Sequence, residues 1–265
     1  MQRVHGRLPG EVAIVTGASS GIGAATAREL ARRGATVILA ARRADMLEAQ
    51  VRSIREAGGQ AIAIPADVAD PSDVTMLADR AMAVCGRVDV LVNNAGAFWS
   101  TALASSSPGQ ITDLAQVNLL GAMLLTRAVL PGMLARRHGA IISVGSLSGR
   151  MAMEPLYSAT KYGLRGFSLA LRRQLAGTGV SVSLVSPGKI DTAMTQAQGV
   201  TGPLPPPEMV ARVVADLAAR PRREVVVPAR HYVLAWLEQL SPGAADVAFR
   251  WRGWSPVHNQ PAVTS

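Results

Sequence analysis

The sequence predicts a doubly wound α/β fold in which a seven-stranded parallel sheet carries helices on both faces. Seven short β-branched runs recur along the chain, separated by Ala/Leu/Arg patterns of helical length and bounded by Gly and Asp. Strands buried from both sides and joined by helical crossovers make a parallel α/β sheet. The 265 residues, 49% hydrophobic and 17% charged, suit one core-bearing unit, and the single cysteine, Cys85, excludes a disulfide scaffold.

The strands are read at Val12–Val15, Thr36–Ala40, Ala61–Ile64, Val88–Val92, Ala140–Val144, Val180–Val185 and Glu224–Val227. Helices are expected over Ile22–Arg33, Ala44–Ala57, Ser72–Val84 and Tyr157–Ala176, where the patterns are helical. Right-handed crossovers bring the carboxyl ends of the strands to one edge, where ligands bind at a topological switch point. Thr192–Pro207 reads as a loop over that edge, because its prolines remove donors and restrict their predecessors. Residues 1–228 are expected to form one domain. Residues 229–265 are expected to form an extension packed on or beside it, with aromatic stretches at Tyr232–Leu240 and Arg250–Trp254.

Charge raises a different class of function. Twenty-seven Lys and Arg against 18 Asp and Glu leave +9, which ordinarily points to nucleic acid, anionic membrane or acidic ligands. Only Lys161 and Lys189 are lysines, so the surplus is arginine and reads as compositional bias. No dense basic run with interleaved aromatics occurs in the body of the chain, so no nucleic acid is expected as partner. A membrane-surface contact through Arg250–Trp254 stays open. No apolar segment near Met1 has the form of a secretory signal, and the longest apolar stretches are interrupted. The lone thiol suits a reducing compartment, so a cytoplasmic location without a transmembrane segment is expected.

The chemistry-bearing residues gather at strand ends. Thr16-Gly17-Ala18-Ser19-Ser20-Gly21-Ile22-Gly23 joins the first strand to the first helix, where glycines let backbone approach a pyrophosphate and the helix N-terminus supplies N–H donors. The second strand ends in Ala41-Arg42-Arg43, with no carboxylate to accept from a ribose 2′-hydroxyl; a guanidinium there grips a 2′-phosphate and favours NADP. Asp67-Val68 follows the third strand, and Asn93-Asn94-Ala95-Gly96 follows the fourth. Tyr157 and Lys161 stand four residues apart on one helical face, where the ammonium is expected to lower the phenol pKa. Ser146 closes the fifth strand, with Ser148 as its near competitor, and Asn118 is an amide inside an apolar helical run.

Taken in order, these residues and Pro187-Gly188-Lys189-Ile190-Asp191-Thr192 resemble the short-chain dehydrogenase/reductase family over roughly residues 8 to 228. The resemblance implies a Rossmann-type fold with Tyr157 as catalytic acid/base, Ser146 as partner of the substrate oxygen and Asn118 holding a proton-relay water. It implies that Lys161 binds the nicotinamide ribose and lowers the Tyr157 pKa, and that Ile190 and Thr192 contact the carboxamide. The cofactor set it implies is Gly17, Ser19, Ser20, Gly21, Ile22, Gly23, Arg42, Arg43, Asp67, Val68, Asn94, Ala95, Gly96, Tyr157, Lys161, Pro187, Gly188, Ile190 and Thr192, with no metal. The helices around 118–136 and 157–176 would pair subunits into homodimers or homotetramers. The Ser146-to-Tyr157 interval of 11 residues is shorter than in many members, which shortens the Gly149–Leu156 loop.

The expected function is NADP(H)-dependent hydride transfer between the nicotinamide and a carbonyl or secondary alcohol. Phe98, Trp99, Met151, Met153 and Met194, on segments that include Ala97–Ser100, point to an apolar substrate. The alternative is a non-catalytic NADP-binding sensor or interaction protein on the same fold. That reading tolerates loss of Ser146, Tyr157 or Lys161, and all three are present.

Overall fold

The computed structural model describes residues 6–99, 102–200 and 202–229, with Trp236, Leu240, Ser241, Gly243, Asp246 and Val247 beyond them. The aromatic stretches Tyr232–Leu240 and Arg250–Trp254 otherwise lie outside the described residues, as does Ser100. The chain runs β1 (Val12–Thr16), α1 (Gly21–Arg32), β2 (Thr36–Ala41), α2 (Ala44–Glu56), β3 (Gln60–Pro65), α3 (Pro71–Cys85) and β4 (Val90–Asn93). It continues through α4 (Pro108–Ala115), α5 (Gly121–Arg136), β5 (Gly139–Val144), α6 (Pro155–Gln174), β6 (Val180–Pro187), α7 (Ala193–Gln196), α8 (Pro207–Ala219) and β7 (Glu224–Val227).

Among the described residues the strands pair in parallel in the order β3-β2-β1-β4-β5-β6-β7. The chain winds outward from β1 to β3, then returns to place β4 on the other side of β1, with Val15 opposite Val92. This reversal opens a crevice at the carboxyl ends of β1 and β4. Period-two alternation divides the buried side chains between two cores. Ala13, Val15, Val37 and Leu39 pack with Leu30 of α1, Leu47 of α2 and Val210 of α8. Ile14 and Ile38 pack on the other face with Leu77 of α3, Leu125 and Val129 of α5, and Leu171 of α6. The predicted fold class is therefore the observed one.

Local chemistry sets the helix ends. Asp70 caps α3 by accepting from Ser72 N (2.8 Å), Pro71 supplies a first-turn φ, and Gly86 ends the helix in the left-handed region at φ 70°. Ser107 and Gln110 form a reciprocal capping box on α4. Helix α6 starts at Pro155, two residues before the predicted Tyr157, because proline fits the first helical position. Inside the expected loop Thr192–Pro207, Thr192 caps the one-turn helix α7.

Helices α4 and α5 join through a π-helical turn at Gln116–Leu120. The joined run Pro108–Arg136 spans 29 residues and contains an 18-residue stretch of mean hydropathy 1.5, long and apolar enough by length and composition to cross a membrane. Here its inward residues Leu125, Val129 and Met133 belong to the second core. At the opposite end of the sheet the buried Asp89 accepts from Val12 N (3.0 Å) and pairs with Arg87 and Arg136. Glu11 and His138 also lie near it, but the two guanidiniums already neutralise this carboxylate.

Candidate active site

Thr16 organises the crevice. Its Oγ1 donates to Val92 O (3.3 Å) and accepts from Asn94 N and Ala95 N, both at 3.0 Å. Asn94 Nδ2 returns a bond to Thr16 O (2.8 Å), so the loop after β1 is stitched to the end of β4. Gly17 takes φ 66°, and a Cβ at Gly23 would overlap the Gly17 carbonyl oxygen. Only glycine permits this closeness, which leaves Ser19, Ser20, Gly21 and Ile22 lining the cleft at the N-terminus of α1.

The end of β2 adds charge. Arg43 Nη2 donates to Ser19 Oγ (2.9 Å) and Ser20 Oγ (3.1 Å), which lays its guanidinium beside the glycine loop. Arg42 Nη1 lies 3.8 Å from Asp67 Oδ2 in an open position. Asp67 Oδ1 accepts from Ala69 N (3.0 Å), so the turn after β3 is held by its own side chain. Val68 follows, and its carbonyl sits where any Cβ at Gly121 would clash.

Beyond β5, Ser146 Oγ accepts from Ser148 N (3.1 Å) at the start of a short 3-10 turn, Leu147–Gly149. Lys161 is 4% exposed, its Nζ donating to Val144 O (3.3 Å) at 5.6 Å from the Tyr157 ring centroid. Phe98 meets the Tyr157 ring edge-on at 5.1 Å and 70°. Desolvation pushes the Tyr157 phenol up to about 12; a hydrogen bond with Ser146 opposes the shift, and the charge of Glu154 reinforces it. The net direction is opposite to the lowering expected from Lys161. Burial of Lys161 pushes its ammonium down to about 8. Low dielectric disfavours both charged forms, and burial is the leading cause of both shifts.

These elements enclose a cleft of about 740 Å³. Every residue expected to bind cofactor lines it, from Gly17 to Thr192, and so do Ser146, Tyr157 and Lys161. Asn118 stands behind the wall. The widened π turn points it inward, where Oδ1 accepts from Ala97 N (2.8 Å) and Nδ2 donates to Ala97 O (3.0 Å) and Thr160 Oγ1 (3.1 Å). Its side chain therefore pins the segment that carries Phe98 and Trp99 against α6. The sequence did not mark Glu154, and Lys189 stood only within the Pro187–Thr192 motif without a role, although both line the cleft. The rarity of lysine was the available signal for Lys189.

The model of the short chain dehydrogenase family matches residues 11–201. The chain belongs to the short-chain dehydrogenase/reductase family. It is similar to the ketoacyl reductase HetN of Nostoc sp. (strain PCC 7120), 37% identical over 259 residues, covering 93% of this chain and 90% of that protein. The 3-oxoacyl-[acyl-carrier-protein] reductase FabG of Escherichia coli K12 is 39% identical over 190 residues, covering 71% of this chain and 77% of FabG. Among solved structures, a metagenomic short-chain oxidoreductase in complex with NADP matches with TM-score 0.75 and 39% identity, over 83% of this chain and 97% of that one. A short chain dehydrogenase from Burkholderia cenocepacia J2315 in complex with NADP gives TM-score 0.75 and 33% identity, over 84% and 98%.

This short-chain dehydrogenase/reductase is thus an oxidoreductase acting between CH–OH and C=O with a nicotinamide dinucleotide. The residues present fit that cofactor: a glycine cradle that admits no side chain at Gly23, an open helix N-terminus, and a cleft of about 740 Å³ reaching from Arg43 to Tyr157.

Proposed function

We propose that the enzyme uses NADPH in preference to NADH to reduce an apolar carbonyl substrate, with 3-oxoacyl thioesters as the leading class. The observation that carries this reading is the convergence of Ser146, Tyr157 and Lys161 on the cleft that also holds the glycine cradle and Arg43. Arg43, already bonded to Ser19 and Ser20, supports the NADP preference by presenting a fixed guanidinium where a 2′-phosphate docks. Phe98, Trp99, Met153 and Met194 make the substrate end of the cleft apolar. HetN and FabG, by their names, act on ketoacyl groups.

When bound, the reduced nicotinamide supplies a hydride to the carbonyl carbon. Ser146 accepts from Ser148 N and keeps its own proton to donate to the carbonyl oxygen as negative charge develops there. Tyr157 transfers its phenolic proton to that oxygen, and Lys161, close beside the ring, stabilises the phenolate left behind. Solvent then restores the proton, and oxidation of an alcohol runs the same transfers in reverse. Asn118 keeps Ala97 and Phe98 in place against the Tyr157 ring.

Residues 1–228 act as the single dinucleotide-binding and catalytic domain in this reading, with residues 229–265 as its extension. Exposed Leu120 and Leu134 on the π turn and α5, and Tyr162 on α6, support pairing with a second copy of the chain. A panel of ketones, aldehydes and 3-oxoacyl thioesters, followed by NADPH oxidation with NADH as control, tests the assignment. Turnover of an apolar member with kcat/KM for NADPH about tenfold or more above NADH is expected, a gap worth about 1.4 kcal/mol. Failure of every carbonyl, or preference for NADH, contradicts it.

A further inference from the structure

We propose that Glu224 is a positioning residue for the reaction, holding in register the three segments that carry Ser146, Lys161 and the Pro187–Gly188 wall. Glu224 opens β7, the edge strand, and does not line the cleft. Its side chain is nevertheless only 5% exposed, and its two oxygens meet groups from three elements. Arg150 Nη1 lies 2.9 Å from Oε2, with the Arg150 side chain 4% exposed. Arg165 Nε reaches Oε1 at 3.2 Å and Oε2 at 3.3 Å. Ser186 Oγ donates to Oε1 at 3.0 Å.

Each partner sits next to a residue of the cleft. Arg150 ends the 3-10 turn that follows Ser146. Gly149, just before it, lies so close to the Lys161 carbonyl that a Cβ there would come within 2.7 Å of the oxygen, which seats the turn directly on α6. Arg165 is one helical turn beyond Lys161, on the same face of α6. Ser186 precedes Pro187, which with Gly188 lines the cleft. The main chain carries the connection onward, with Gly145 N bonded to Val185 O (2.7 Å) and Gly188 N to Val227 O (2.8 Å).

A purely stabilising purpose explains this cluster poorly. Buried ion pairs repay their desolvation only barely, and well-packed apolar residues do as well. Directional, charge-assisted bonds do something apolar packing does not: they set relative position and angle. The 11-residue span from Ser146 to Tyr157 gives this enzyme a short loop, and Arg150 anchors its first turn to a strand fixed in the sheet. Glu224 thus acts through Arg150, Arg165 and Ser186 on groups it never touches. The inference rests on the proposed roles of Ser146, Tyr157 and Lys161.

The test compares Glu224→Gln, Arg150→Met and Arg150→Lys with wild type and with Tyr157→Phe, using NADPH and a carbonyl that wild type reduces. Glu224→Gln and Arg150→Met are expected to lower kcat roughly 10- to 100-fold, the scale of a misplacement of about 1 Å. The NADPH Kd and the substrate KM should stay within about threefold of wild type, which separates positioning from binding. Arg150→Lys, which retains a charged donor, should recover most of the loss. A kcat for Glu224→Gln within about twofold of wild type overturns the proposal whatever its Tm, and so does a loss expressed mainly in NADPH affinity. If Glu224→Gln does not fold, Arg150→Met against Arg150→Lys decides by the same criterion: equal kcat in both overturns it. Near-normal turnover by Tyr157→Phe would instead defeat the functional reading beneath it.

Discussion

Lys161 Nζ stands 5.6 Å from the centre of the Tyr157 ring, and the dry wall they share moves them in opposite directions, the phenol to about 12 and the ammonium to about 8. At neutral pH Tyr157 therefore rests as the neutral phenol, the form that the proposed carbonyl reduction requires of its proton donor. Oxidation starts from phenolate, whose population grows as pH rises toward the phenol's value. The alcohol-oxidation kcat/KM is expected to climb across roughly pH 7 to 9, while reduction keeps its donor throughout. Paired pH profiles in the two directions check this; an oxidation rate that falls over that range contradicts it.

The same burial appears in stability. Lys161 has a lower pKa folded than unfolded, so below about pH 8 the native state carries the full cost of a dry ammonium. Between about 8 and 10.4 the unfolded chain binds more protons at this site, and stability rises with pH. Tyr157 has the opposite sign: its raised pKa contributes stability below about 10 that is lost as pH climbs through about 12. Lys161→Met retains the tyrosine and removes the ammonium. Its urea midpoint should exceed that of wild type at neutral pH, and the gap should close as pH approaches about 10. Parallel curves would refute the shift.

Arg43 is docked on Ser19 and Ser20, whereas Arg42 is 76% exposed and only loosely paired with Asp67. Arg43→Ala is expected to weaken NADPH about 10- to 100-fold, the worth of one or two charge-assisted bonds, and to leave NADH nearly unchanged. Titration of both cofactors by fluorescence measures it. An equal loss for the two would place Arg43 on the loop's structure rather than on the phosphate.

Gly23 has no room for a methyl group, since a Cβ would overlap the Gly17 carbonyl oxygen. Gly23→Ala should push the glycine loop off its stitching to Asn94, lowering stability by about 1 to 3 kcal/mol and abolishing dinucleotide binding. Thermal unfolding and NADPH titration of the same preparation read both effects. Unchanged affinity would show that the cradle lies elsewhere.

The seven strands were legible because strands buried on both faces are written as apolar runs. Val88–Val92 shows the limit: β4 begins only at Val90, because just before it stands a buried carboxylate, Asp89, whose partners are its near neighbour Arg87 and, from other segments, Arg136 and Val12. The glycine loop, Tyr157 and Lys161 were legible as local spacing. The π turn was not, because an apolar run such as Val117–Leu120 reads equally well as plain helix, and only the packed fold turns Asn118 inward. Arg43 and Arg42 were indistinguishable until the serines chose between them. Glu224 read as the first residue of a strand, since its three partners come from 38 to 74 residues upstream.

Hydride transfer with Tyr157 as the proton donor is tested most directly by Tyr157→Phe, measured as NADPH binding and as kcat on the same folded protein. NADPH affinity within about threefold of wild type with kcat lower by about 10² to 10⁴, the usual worth of a positioned acid, is the expected result. A variant that binds NADPH and still reduces the carbonyl at a near-normal rate would contradict it.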